Sequence, residues 1–291
     1  MSSSKGKQFR ALLKQGPVGC MGAYDAMTAM IAQQAGAKAL YISGYAAAAS
    51  AFGLPDLGIV SQAEMVEHIR RICQASSLPV IADGDTGYGG ILNVERTIRE
   101  WESAGAAGLH LEDQGFPKRC GHVAGKQVIP ITEMEQKIAA ALNARTDPEF
   151  FVIARTDALA VNGIEDTLER CRRYAEAGAD AIFVDAPESE AQLDQIHNAL
   201  SASNKPLVYN SARTGKSPFL TEKRLAELGY PIVLYPLAAL LAAHHAVNVA
   251  MGQILRDGST NSAATAMSTF QQLNDMLGMT RYVEREAAHA A

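Results

Sequence analysis

The sequence predicts an α/β fold, a closed (β/α)8 TIM-type barrel. Three observations predict it. Eight short apolar runs recur along the 291 residues, seven of them leading to a polar residue; stretches with helical spacing lie between them; and Ala-Gly-Ala or a relative of it precedes several of the runs. Continuous apolar runs mark parallel strands covered on both faces. The glycine stands where a helix end needs a left-handed residue. A doubly wound open sheet is the competing architecture, but no Gly-x-Gly-x-x-Gly follows the first run.

Taken in order, the expected strands are residues 18–21, running to Tyr24 and Asp25; Ala39–Ile42, ending at Ser43-Gly44; 79–82, ending at Asp83; 106–111, ending at Glu112; 150–154, ending at Arg155; Ala181–Val184, ending at Asp185; 206–209, ending at Asn210; and Ile232–Tyr235. Helices are expected over 62–74, 92–103, 132–144, 164–177 and 189–200. Eight such units in one chain indicate a barrel. Two more helical stretches, 237–256 and 263–277, follow the last strand, where a barrel needs one. The tail from Arg281 is charged and Ala-rich and is expected to fray. With no Pro-, Gly- or Ser-rich linker, residues 1–291 read as a single barrel domain, with 258–291 a C-terminal helical extension.

A 48% hydrophobic and 20% charged composition suits a protein with a large core. The net charge of −5, without a basic stripe, argues against a nucleic-acid surface. No apolar run is seen that approaches a bilayer span, and no membrane is expected among the partners. The N-terminus has no apolar signal region, and Cys20, Cys73, Cys120 and Cys171 are scattered, so a reducing cytoplasm is expected.

In a barrel of this kind the site lies at the C-terminal strand ends. Those ends collect Ser43, Asp83, Asp85, Glu112, Arg155, Asp185 and Asn210. Converging carboxylates repel unless a cation sits among them, and a hard divalent ion such as Mg²⁺ fits their oxygen donors. After Glu112 comes a loop with Cys120 between Lys118-Arg119 and Gly121-His122. Cations and an imidazole beside a thiol favour its thiolate. Most cysteines pack as small hydrophobes, though seldom in so polar a loop. Thr156-Asp157 reads equally as substrate-binding or as a cap.

Together Asp83-Gly-Asp-Thr-Gly-Tyr-Gly89, Gly108-Leu-His-Leu-Glu-Asp-Gln114, Lys118-Arg-Cys-Gly-His122, Ala154-Arg-Thr-Asp-Ala158 and Gly53-Leu-Pro-Asp-Leu-Gly58 resemble the isocitrate lyase/phosphoenolpyruvate mutase superfamily, nearest in length to the bacterial 2-methylisocitrate lyases. The resemblance spans about Phe9 to Tyr235. It implies a Mg²⁺-dependent enzyme (Mn²⁺ as an alternative) acting on a small carboxylate. Asp85 would be the direct metal ligand, with Asp56, Asp83 and Glu112 holding metal waters. Ser43, Gly44 and Tyr45 would offer N–H groups to the substrate carboxylate, with Tyr41, Gly121, His122, Asp185 and Asn210 also lining the substrate. Arg155 would stabilise the C2 oxygen and Cys120 would be general acid on a gating loop, with Glu112, His110 and Lys118 in the catalytic set. The implied reaction is C–C cleavage of a 2-hydroxy di- or tricarboxylic acid to pyruvate or another 2-oxoacid. A phosphonomutase, or a relative acting on oxaloacetate or dimethylmalate, is the alternative.

Departures from the methylisocitrate lyases fall where the rest of a tricarboxylate would bind. Strand six ends Val184-Asp185-Ala186 instead of Pro-Glu-Ala, Asn210 is followed by Ser211-Ala212-Arg213 instead of Ile-Thr-Glu, and an arginine shortly after Leu237 is missing. A smaller diacid is therefore a candidate substrate. Apolar stripes at Leu237, Leu240, Leu241, His244, Val247 and Met251, and at Met267, Phe270, Leu273 and Leu277, predict a homodimer or homotetramer. The resemblance agrees, implying a late helix exchanged between subunits.

Overall fold

The computed structural model describes residues 3–119, 121, 125–212, 217–261, 263 and 267–290. Eight parallel strands close in sequence order: β1 (Val18–Gly22), β2 (Ala39–Ile42), β3 (Val80–Asp83), β4 (Gly108–Glu112), β5 (Phe151–Thr156), β6 (Ala181–Val184), β7 (Leu207–Asn210) and β8 (Ile232–Tyr235), with β8 pairing back on β1. The open-sheet alternative is excluded. The turns before β2, β4, β6 and β8 place Gly36, Gly105, Gly178 and Gly229 at φ 89°, 98°, 102° and 85°. That left-handed geometry is what the Ala-Gly-Ala pattern required.

The helices are α1 (Lys5–Gln15), α2 (Ala26–Gln34), α3 (Gly44–Ala47), α4 (Gln62–Ala75), α5 (Ile91–Ala104), α6 (Ile131–Ala144), α7 (Leu159–Asn162), α8 (Ile164–Glu176), α9 (Glu190–Leu200), α10 (Glu222–Glu227), α11 (Ala238–Asp257), α12 (Phe270–Leu277) and α13 (Met279–Ala290). Two late expectations are corrected. The helix foreseen over 263–277 starts only at Phe270, because Thr269 and Gln272 form a capping box there. Beyond Gly278, in the left-handed region, the tail foreseen as frayed is the helix α13.

Two packed layers follow from the period of two along each strand. Val18, Cys20, Tyr41, Ile81, Ala107, Phe151, Ile153, Phe183, Val208, Ile232 and Leu234 fill the barrel, joined by Phe9 of α1, whose ring meets Phe151 edge-on at 5.1 Å. Their neighbours, such as Leu109, Leu111, Val152, Ala154, Ile182 and Val184, pack against the outer helices. Continuing the inward set along each strand leads to Ser43, Asp83, His110 and Glu112, Arg155 and Asp185. The alternation that fills the barrel thus ends in a ring of charge at its mouth.

The chain divides into two compact units, residues 1–239 and 240–291. The division falls inside α11, ahead of residue 258, where the sequence placed the start of the helical extension. α11 also corrects the expectation about bilayer-length runs: its 20 residues, at a hydropathy of 1.3, are long and apolar enough by length and composition to cross a membrane. Leu241, Val247, Met251, Phe270, Leu273 and Leu277 are all exposed in the single chain.

Candidate active site

Strand register sets the site. Asp83 pairs with His110 and Glu112 with Arg155, so residues far apart in sequence become neighbours at the mouth. Asp83 is the hub. Its carboxylate accepts from the N–H of Gly44 and of Asp85, each at 3.0 Å, and lies 3.5 Å from His110 Nε2. His110 Nε2 also shares a 2.8 Å hydrogen bond with the Tyr41 hydroxyl. Burial pushes His110 down to about 4, so the imidazole is neutral. Burial opposes ionisation of Asp83, but His110, Lys118 and Arg155 outweigh it and hold the carboxyl at about 2. For this coupled pair the physical state is an ionised Asp83 beside a neutral His110.

The loop after β3 turns through Asp85, at φ 46°, a region that aspartate tolerates better than most residues. Lys137 of α6 supports it from outside, donating to the Thr86 carbonyl at 3.1 Å. Trp101 of α5 donates from Nε1 to the Asp83 carbonyl at 3.1 Å.

Lys118 bridges two carboxylates, Asp56 on one side and Asp85 at 2.8 Å on the other. Burial pushes the Asp85 carboxyl up to about 6; Lys118 pulls it down, and Asp83 and Asp56 add to the rise. Among the described residues no three His, Cys, Asp or Glu side chains converge as direct metal ligands. The donors nevertheless fit a hard divalent ion. Asp85 Oδ1 is buried with only the Lys118 ammonium beside it, Glu112 Oε1 is buried with no hydrogen-bond partner among the described residues, and Mg²⁺ commonly takes one or two carboxylates and keeps its waters. The set that the resemblance implies, Asp85 as direct ligand with Asp56, Asp83 and Glu112 behind water, would need no cluster of three.

Arg155 is buried across the mouth. Its Nε and Nη2 donate to Asp157 at 3.0 and 3.1 Å, Nη1 lies 3.5 Å from Glu112 and Nη2 3.4 Å from Asp185, and its Cζ stands 5.1 Å from the centre of the Phe183 ring. Burial pushes Glu112 well above the usual carboxylate range, against the pull of Arg155. Among the described residues, Asp185 and Asn210 present buried side-chain oxygens without hydrogen-bond partners. Ser43 caps α3 by accepting from Ala46, and Tyr45 is exposed at the rim. The Gly44 N–H, assigned by resemblance to a substrate carboxylate, is here engaged by Asp83. Gly121 is buried at the mouth. Cys120, His122 and Arg213 lie outside the described residues.

Sequence reasoning missed three residues. Asp157, left between substrate-binding and capping, clamps Arg155. Lys126 is buried and bonded to Asp157 at 2.8 Å. Asp113 accepts from Thr156, the Asp157 N–H, Arg170 and Tyr174 at 2.7–3.1 Å. The only hint of Lys126 in the sequence was a lysine set between Gly125 and the apolar return at Val128.

Known proteins agree with this geometry. The phosphoenolpyruvate phosphomutase family profile matches residues 9–255. The chain is 40% identical to 2,3-dimethylmalate lyase of Eubacterium barkeri over 92% of both chains. It is 39% identical to 2-methylisocitrate lyase of Shewanella oneidensis, covering 98% of this chain and 97% of that one. Among solved structures, oxaloacetate acetylhydrolase with 3,3-difluorooxalacetate superposes with a TM-score of 0.92 at 33% identity, covering 99% of this chain and 98% of that one. Phosphonopyruvate hydrolase with oxalate and Mg²⁺ superposes with a TM-score of 0.86 at 32% identity, over 99% and 100%. The profile match over most of the length, and relatives this similar end to end, make the chain a member of the phosphoenolpyruvate mutase/isocitrate lyase superfamily, and an enzyme of its lyase and mutase group.

Proposed function

We propose that the protein is a Mg²⁺-dependent carbon–carbon lyase that cleaves a small 2-hydroxy dicarboxylate to a 2-oxoacid and a second carboxylate. The observation that carries this reading is that one buried mouth brings together the Arg155 guanidinium, the Asp85 carboxylate held by Lys118, and Glu112, whose Oε1 has no hydrogen-bond partner among the described residues. Mg²⁺, when bound, supplies positive charge where the substrate's C2 oxygen is held. Arg155 faces the same oxygen and stabilises charge there as the bond breaks. Glu112 in its carboxylate form, whose proton affinity burial raises, is suited to take the hydroxyl proton. The C2 hydroxyl becomes the 2-oxo group, the adjacent C–C bond breaks, and its electron pair leaves on the second carboxylate fragment as an enolate. That fragment takes a proton from Cys120, the role the superfamily resemblance assigns.

A diacid is favoured over a triacid by charge. Asp56, Asp83, Asp85, Asp157 and Asp185 face only Lys118, Lys126 and Arg155 among the described residues, so a third substrate carboxylate adds repulsion without a new cation. The 2,3-dimethylmalate lyase relative fits this reading. Incubation with a panel of 2-hydroxy diacids and triacids, with keto-acid release followed, tests it. Release from triacids alone refutes the diacid assignment. Release from none, with turnover of a phosphonate instead, makes the enzyme a mutase.

Cys120→Ser is expected to lower turnover about 10²- to 10⁴-fold while retaining ligand binding, because a hydroxyl is a far weaker acid than a thiol. Turnover within twofold of wild type, on the order expected of a packing residue, would remove Cys120 from the mechanism.

We also propose that the protein works as a homodimer or homotetramer. An open groove of about 430 Å³, lined by Met21, Ile31, Ala32, Ala35, Tyr235 and Ala238, runs between α2 and the end of β8, where a barrel seats its eighth helix. An apolar helix supplied by a second copy suits it, and the apolarity of α11 and the stripe on α12 suit packing between subunits better than exposure to water. Light scattering at micromolar concentration is expected to show a multiple of 31.0 kDa; a monomer would refute the assembly.

A further inference from the structure

Asp113 follows Glu112, and the alternation along β4 turns it away from the mouth, toward α8. It is fully buried, and a buried carboxylate needs donors. Four reach it among the described residues, about as many as a carboxylate can accept. Arg170 Nη1 and the Tyr174 hydroxyl come from α8 at 3.1 and 2.8 Å. The Thr156 hydroxyl and the Asp157 N–H come from the end of β5 at 2.7 and 2.9 Å. Arg170 is itself fixed, by Asp166 at 2.7 Å and the Ile129 carbonyl at 2.8 Å. Helix α8 thus braces the carboxylate, and the end of β5 hangs from it.

Asp113 also meets the residue before these two: its own N–H donates to the Arg155 carbonyl at 3.2 Å. Arg155, Thr156 and Asp157 are therefore all tied to one residue. Strand β5 ends at Thr156, so Asp157 lies past its last position, and the Asp157 N–H bonds to the Asp113 side chain instead of to a neighbouring strand. Asp157 in turn grips Arg155 at two points, 3.0 and 3.1 Å. The direction of that carboxylate follows from the Asp157 backbone, and Asp113 sets the backbone.

We propose that Asp113 is a positioning residue: it holds residues 155–157 against the end of β4, aims the Asp157 carboxylate and so fixes the Arg155 guanidinium at the mouth. The proposal rests on the reading that Arg155 meets the substrate oxygen, but one arm of its test needs no substrate. Asp113→Asn is the selective variant. Three donors crowd Oδ2, and one, the Asp157 N–H, faces Oδ1. The amide oxygen takes the side of the three, and the amide nitrogen then stands against the Asp157 N–H, donor against donor. Crystal structures of the full-length proteins are expected to show both Arg155–Asp157 bonds in the wild type and a fork opened beyond about 3.5 Å in the variant. In the keto-acid assay kcat is expected to fall about 10²-fold, the order expected when a reacting group is misplaced by an ångström, with KM changed much less. Tyr174→Phe removes a donor from the α8 side only. It is expected to lower Tm while keeping the fork and leaving kcat near that of wild type.

An intact fork in folded Asp113→Asn overturns the proposal, whatever the turnover, as does a wild-type crystal without the fork. An equal loss of kcat in Tyr174→Phe overturns it too, since disturbing the cluster anywhere would then suffice. If Asp113→Asn does not fold, Thr156→Val, which removes the other side-chain bond between β5 and Asp113, is read in the same way. If neither folds, Asp113 only holds the fold and the proposal is overturned. An opened fork with kcat unchanged leaves the positioning standing and removes Arg155 from the reaction. An opened fork with no keto acid released from any compound in the panel also leaves it standing, and removes the lyase reading instead.

Discussion

Asp85→Ala is expected to lower turnover at least about 10³-fold, because the charge a metal contributes to the transition state amounts to several kcal/mol. The metal-free fold should not weaken with it. Burial pushes the Asp85 carboxyl up to about 6, against about 3.9 in an unfolded chain. The folded state then binds the proton more tightly, so wild-type stability falls as pH rises through that window, and the full cost is present above it. Alanine removes the cost. Without metal, the variant should have a Tm at neutral pH equal to or above that of wild type, and a flatter stability profile between about pH 4 and 6. Lys118 keeps Asp56 as its partner. Turnover under Mg²⁺ titration and Tm by calorimetry check both halves. Activity within tenfold of wild type, on the scale of about 1.4 kcal/mol, would reject Asp85 as the ligand, as would wild-type turnover that survives excess EDTA.

Arg155→Met should damage both catalysis and the fold. Removing a preorganised donor at developing oxygen charge costs about 10²- to 10³-fold in turnover. The same substitution strips Asp157 of a two-point partner and leaves Glu112 and Asp185 without their nearest guanidinium. Breaking a buried pair in this way costs about 3–5 kcal/mol. Lys126 still pairs with Asp157, which places the loss near about 3 kcal/mol and lowers Tm by roughly 6–12 °C. Acid sensitivity gives an independent signature. Burial alone would raise the Asp157 carboxyl, but Arg155 and then Lys126 outweigh it and hold it well below the usual range. A depressed carboxyl stabilises the fold above its unfolded value, about pH 4, and loses that contribution as pH falls toward the folded value. The variant should therefore lose less stability on acidification below pH 4 than wild type does. Arg155→Lys keeps the charge but not the fork, and should recover stability more than turnover. Wild-type turnover in Arg155→Met would remove the arginine from the reaction.

The barrel was legible because each of its signals is local. Apolar runs at residues 39–42, 181–184 and 232–235 coincide with β2, β6 and β8, and the helices from 62, 92, 132 and 164 lie within a residue or so of their observed bounds. The mouth was legible for a related reason: in a parallel barrel every strand ends on the same side, so the polar residue after each run had to join one ring. Lys126, Asp157 and Asp113 were not legible as a cluster: Arg155 is only two positions from Asp157, but the bonds that join Lys126 to Asp157 and Asp113 to Arg170 and Tyr174 span 31 to 61 positions and leave no periodic trace. The late helices misled because α12 is delimited by a capping box at Thr269, not by the apolar spacing that reaches further back.

By itself the sequence determined the order of strands and helices, the closed barrel and the residue types at its mouth, because hydrophobic period and turn glycines act over a few residues. Only the tertiary structure decided which charge faces which: Lys118 between Asp56 and Asp85, Asp157 clamping Arg155, Lys126 reaching back to Gly121. It also decided that α11, α12 and α13 leave apolar side chains uncovered in the single chain. The physical reason is that Coulomb energy and desolvation depend on distance through space and on burial, and the strands that bring these groups together are far apart along the chain.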